Sequence, residues 1–242
     1  MKLSFLYAAA FLALALNASG GTLIVSGDSS IAYSVTGGNA TFFSNVLGSG
    51  TSVLIQELES QTAGNGANIA AYYNGTAGVT ATQTTATSVS DLGGVNLFIS
   101  MLPQSAYSAA ELSAMSTLLS AGGTLFLIGE SSGYAGGNTA MPYLNGALTS
   151  LGSSLTIGGS DGSAYPVTAI TVPNALTSGV TNFQYGFTAL VSGGTPLFQT
   201  VNGTPFVEVQ TLGGTATPEP ASAWMVLGAI AMGGFLLRRK KI

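Results

Sequence analysis

Between Thr22 and Thr217 the chain has no lysine, arginine, histidine or cysteine. That stretch can make no internal ion pair and no disulfide. It must fold on packing and backbone hydrogen bonds alone. It carries eight acids, Asp28, Glu57, Glu59, Asp91, Glu111, Glu130, Asp161 and Glu208. Phosphate contacts need lysine or arginine, so a nucleic-acid partner is not expected. Without histidine the commonest general base and the commonest metal ligand are missing. Cysteine nucleophiles and Cys/His zinc sites are excluded outright. No cofactor is expected.

All five basic residues sit at the two ends of the 242-residue chain. Lys2 precedes an apolar run from Leu3 to Leu16, and the small residues Ala18, Ser19 and Gly20 follow. A basic start, a short apolar core and a small-residue exit read as a secretory signal peptide over residues 1–20. Signal peptidase and the secretion machinery are its implied partners. At the other end, Pro218, Glu219 and Pro220 precede an uncharged run over 221–237, with Trp224 near its start. Arg238, Arg239, Lys240 and Lys241 close the chain before Ile242. The run meets the lower length limit of a transmembrane helix, and the basic cluster predicts a cytoplasmic end. Residues 21–216 are then expected to form one exported domain.

Residues 217–242 resemble the PEP-CTERM sorting signal: Pro-Glu-Pro at 218–220, an apolar helix, then a basic stop. The resemblance implies recognition by an exosortase, a membrane cysteine protease-transpeptidase. It implies cutting near Pro218-Glu219-Pro220 after an inner-membrane intermediate. It also implies delivery to the cell envelope or an extracellular polysaccharide matrix of a Gram-negative bacterium, with exopolysaccharide as a partner.

Within the exported part, apolar runs alternate with helical patterns. Strands are expected at 22–26, 52–56, 79–84, 95–100 and 124–128, and helices at 39–47, 69–73, 108–121 and 139–151. Ser108 with Glu111 has capping-box spacing. Short strands are expected at 155–157, 167–172, 187–191, 197–200 and 206–210. Thr/Ser-rich runs such as Thr80–Ser90 read as surface loops, Asn138 as a helix cap and Asn145 as a packing group. Alternating strands and helices with fully apolar strands predict a mostly parallel sheet covered on both faces. The expected class is α/β, a flavodoxin-like three-layer sandwich with a strand-rich C-terminal part and a C-terminal transmembrane helix. Ala121-Gly122-Gly123 running into Thr124–Glu130, and Asn174–Val180 further on, weakly resemble the class I glutamine amidotransferase-like fold. That family's cysteine and histidine are absent, so its activity does not carry over.

Gly129-Glu130-Ser131-Ser132-Gly133 matches the G-x-S-x-G nucleophile elbow. Gly27-Asp28-Ser29 resembles the Gly-Asp-Ser block of lipase-like hydrolases. Neither serine has a histidine or lysine to take its proton, so a serine hydrolase is the weakest reading. Asp28 and Glu130 both follow strand ends, where open α/β sheets bind ligands. They are the candidate ligand-binding residues, for a saccharide or for Ca²⁺, against the plainer reading of turn-capping acids. Sequons at Asn39, Asn74 and Asn202 carry little information.

Overall fold

A computed structural model describes residues 20–59, 64–134 and 136–213. The expected signal peptide, but for Gly20, and the expected sorting signal and transmembrane helix over 217–242 fall outside these residues. Among the described residues no helix is long and apolar enough to cross a membrane.

Among the described residues there are four α-helices: α1 (Gly37–Leu47), α2 (Asn65–Asn74), α3 (Ala109–Ser120) and α4 (Gly137–Ser150). The main sheet contains β1 (Gly21–Ser26), β2 (Ser52–Glu57), β3 (Thr80–Thr84), β4 (Leu97–Met101) and β5 (Thr124–Ile128). These five pair in parallel in the spatial order β3-β2-β4-β5-β1. Each parallel neighbour is reached by a helical or loop crossover, since no tight turn can join parallel strands.

The strand-rich C-terminal part completes that sheet with reversed strands and adds two small ones. β6 (Thr156–Asp161), β7 (Val167–Thr168), β8 (Ile170–Thr171), β9 (Gln184–Tyr185), β10 (Thr188–Ser192), β11 (Thr195–Gln199) and β12 (Pro205–Leu212) follow in order. β12 lies antiparallel to β1, with Gly21 facing Leu212 and Ser26 facing Val207. β11 and β8 extend that antiparallel edge. β6 pairs with β10, and β7 with β9.

The strands are buried on both faces, so their side chains divide by alternation into two cores. Ile24, Ile55, Ile99, Phe126 and Ile128 meet Phe42, Phe43, Ile69 and Tyr73 of α1 and α2. Leu23, Val25, Phe98, Leu125 and Leu127 meet Met115, Leu118, Leu144 and Leu148 of α3 and α4. Phe42 is the centre of the first core. Its ring meets Phe183 and Phe198 edge-on at 5.3 and 5.0 Å, and those two stack at 3.7 Å. Full burial of one such side chain contributes about 1.5–3 kcal/mol.

Helix α3 starts as its spacing predicts. Ser108 Oγ accepts from Glu111 N, and Glu111 Oε2 accepts from Ser108 N at 2.8 Å. The expected strand at 79–84 forms as β3, so the loop reading of the run 80–90 holds only after Thr84. Two expectations fail in detail. The run 167–172 is not one strand: Ala169, whose N–H donates to Phe183 O, separates β7 in one sheet from β8 in another. Asn138 caps nothing. Gly136 occupies the cap of α4 in the left-handed conformation, and Asn138 is exposed inside the first turn. Asn145 is a packing group as expected, exchanging hydrogen bonds with both Ile157 N and Ile157 O.

Candidate functional site

The parallel strands end level with one another. Ser26 is in register with Ile128, Ile128 with Met101, and Met101 with Glu57. One edge of the sheet therefore gathers the turns after β1, β2, β4 and β5. Two polar groupings lie along it.

The first contains both acids expected from sequence. Asp28 follows β1, Glu130 follows β5, and both are fully buried. Asp28 Oδ1 accepts from Ser30 N at 2.6 Å, and Oδ2 accepts from Ser30 Oγ and from Gly186 N, at 2.9 and 2.8 Å. Glu130 Oε2 accepts from Ser29 Oγ at 2.8 Å and Ser29 N at 3.2 Å, while Oε1 accepts from Ser131 N at 2.8 Å. The two carboxyls thus pin three segments together. Burial, and then the charge of Asp28 close by, push Glu130 up to about 9. Burial pushes Asp28 up to about 7, against the pull of its hydrogen bonds. Both carboxyls thus hold a proton more tightly than a free acid, and Glu130, the more strongly raised, is the one that Ser29 Oγ touches. Ser131 is buried, and α4 begins only at Gly137, so the strand-elbow-helix step of a G-x-S-x-G nucleophile is not formed. Asp28 and Glu130 share one network, but neither faces solvent.

The second grouping is open. The order of strands reverses between β2 and β4, since β2 leads outward to β3 and β4 leads the other way to β5. Doubly wound sheets bind ligands at that point. A cleft of about 410 Å³ lies there, lined by Glu57, Glu59, Gln83, Thr85, Gln104 and Ser105 among others. Glu57 Oε2 accepts from Gly66 N in the first turn of α2 at 2.9 Å, and from Gln83 Nε2 at 3.1 Å. A Cβ at Gly66 would approach both groups to 2.9 and 3.0 Å. A Cβ at Gly136, the cap of α4, would lie 2.3 Å from Glu59 Oε2. The helix starts that would attract a phosphate in such a crevice thus face this chain's own carboxylates. Leu102, just beyond β4, has φ 46°, a left-handed conformation costly for a non-glycine residue. Asn65 Nδ2 donates to Ser29 O at 3.0 Å and ties the cleft to the buried acids.

Among the described residues no group of three or more acids, cysteines or histidines could hold a metal ion. A larger hollow, about 610 Å³, lies at the opposite edge against Thr22, Asn174 and Gln210, and no titratable side chain lines it. The cleft residues are not legible as a site from sequence. Their one signal is position just after successive strands, which becomes informative only once the strand order is known. Of the sequons, Asn39 is buried with its amide bonded to Ile31 O and Gln184 O, and so is closed to modification. Pro218, Glu219, Pro220 and Arg238 to Lys241 lie outside the described residues.

No family model matches the chain, and no curated protein matches it. A solved structure described as mmIFT52 N-terminal domain is similar at a TM-score of 0.46 and 17% identity, over 64% of this chain and 75% of that one.

Proposed function

We propose that this protein is exported, processed by an exosortase at Pro218-Glu219-Pro220, and works without catalysis in the cell envelope or extracellular matrix, associated with exopolysaccharide. The observation that carries the reading is the tail: Pro-Glu-Pro, an uncharged run over 221–237, and a basic stop, in that order. The cation-free exported part supports it, since such a surface interacts through hydroxyls, amides and rings. A non-catalytic role is supported by the burial of Ser29 and Glu130 away from solvent, and by the absence of histidine and lysine near Ser131.

The finer fold assignment belongs to the same reading. Counted from β2, the parallel block runs 2-1-3-4-5, the flavodoxin order, with β1 filling the fifth place. This supports a flavodoxin-like, three-layer sandwich related to a degenerate amidotransferase-like fold in permuted order. A second reading, a saccharide-binding module on that scaffold, is favoured by the cleft at the switch point. In it Asp28 and Glu130 hold the loops and do not touch the ligand.

The test is intact-mass measurement of the protein from its native host. The expected result is a new C-terminus near Pro218-Glu219-Pro220. Full-length protein still bearing Arg238–Lys241, in cells with active exosortase, would overturn the sorting reading.

A further inference from the structure

Four aromatic side chains reach the surface around the loops that the buried acids hold. Tyr33 is 65% exposed, Tyr134 51% and Phe187 41%, and Tyr165 is half-buried. They pair across long sequence gaps. Tyr33 meets Tyr165 edge-on at 5.5 Å, and Tyr134 lies nearly parallel to Phe187, at 5.9 Å and 16°. Gly186 links the pairs, because a Cβ there would come within 2.6 Å of Tyr165 Cβ and Phe187 is its neighbour.

Two features of this row cost free energy. The rings leave apolar surface in water. Phe187 also has φ 39°, where a side chain is strained and glycine is the usual occupant. The strain is held in place. Phe187 N donates to Ser163 O at 2.6 Å, and Gly186 N to Asp28 Oδ2 at 2.8 Å. Asp28 also fixes Ser30, three residues before Tyr33, and Glu130 fixes Ser131, three before Tyr134. The two buried acids therefore hold the backbone that carries the rings.

We infer that Tyr134 and Phe187, continued by Tyr165 and Tyr33, form a stacking platform for the pyranose rings of a neutral polysaccharide, which deepens the exopolysaccharide reading above and rests on it. Sugar rings present C–H faces that pack on the electron-rich face of an aromatic ring. The charge pattern decides between neutral and anionic chains. The domain has no lysine, arginine or histidine to meet a carboxylate or sulfate, and its own acids repel a polyanion.

The test is affinity electrophoresis of the full chain in gels containing dextran, mixed-linkage β-glucan or galactomannan, with alginate as the polyanion. Retardation by at least one neutral polysaccharide is expected. It should weaken at least tenfold in both Tyr134→Ala and Phe187→Ala, and persist in Thr149→Ala, an exposed position near the C-terminal end of α4. Thermal midpoints of the wild type and Tyr134→Ala should agree, which removes misfolding as a cause. Retardation unchanged in both aromatic variants overturns the platform and leaves exopolysaccharide association standing. No retardation by any of the four polysaccharides overturns both, and retardation by alginate alone overturns the platform and leaves polysaccharide association standing. A dimer that both aromatic substitutions dissolve, without retardation, overturns it in favour of a second copy.

Discussion

Without cations, the acids of this domain take their compensation from the backbone. Asp28, Glu57, Asp91, Glu111, Glu130, Asp161 and Glu208 each accept at least one main-chain N–H. Such bonds can be strong because one partner is charged, but each also fixes a loop to the acid that holds it. For Asp28 and Glu130 burial outweighs the bonds, and both protons are held more tightly folded than unfolded. The folded state then binds protons that the unfolded chain has released, so stability is fully present below the unfolded carboxyl range near pH 4. It is lost as pH rises through about 7 and about 9. The thermal midpoint should therefore fall between pH 5 and pH 9. Glu130→Gln, which imitates the neutral acid, should flatten that fall even if it lowers the midpoint at pH 5. Equal slopes for variant and wild type would contradict the assignment.

At the scale of elements, what sequence could reveal depended on how local each cause was. Helix α3 was legible because its cap, its acid at the third position and its Gly122-Gly123 exit are all written within sixteen residues. Strand β5 was legible as a continuous apolar run. The antiparallel pairing of β1 with β12 was not, because it joins residues at opposite ends of the domain and no local pattern records it. The candidate site divides in the same way. Asp28 and Glu130 could be placed at strand ends from sequence, but their burial depends on Ser30, Gly186 and Ser131 meeting over them. The aromatic row was invisible, since Tyr33 finds Tyr165 and Tyr134 finds Phe187 only after folding. Glycine roles are equally non-local. A Cβ on Gly27, at the end of β1, would lie 1.9 Å from Ala189 O, whereas one on Gly146 in α4 meets nothing within 4 Å. Gly27→Ala should thus prevent β10 from closing on β1 and destabilise by several kcal/mol, about what a severe core overpacking costs. Gly146→Ala should stabilise by about 1 kcal/mol through helix propensity. Urea unfolding of the two variants checks both signs.

At the scale of the whole molecule, the pairing of Gly21 with Leu212 puts the first and last strands of the domain side by side, with both outer ends at the same edge of the sheet. The aromatic row lies at the opposite edge, beyond Ser26. These positions determine how the domain bears a mechanical load. If a bound chain holds the aromatic edge and tension enters beyond Gly213, the force runs along β12. Its bonds to β1 and β11 lie across the strand, so they shear together and share the load. If the same tension is applied between Gly21 and Gly213, it opens the β1–β12 seam from one end, pair by pair. The chain has no cysteine, so pairs of introduced cysteines give defined handles for single-molecule pulling. A Phe187→Cys, Gly213→Cys pair should need a rupture force several times that of a Gly21→Cys, Gly213→Cys pair. The fold would then yield readily to a pull between Gly21 and Gly213 and resist a pull between its aromatic rim and Gly213, the direction of strain that the proposed sorting and polysaccharide binding would impose.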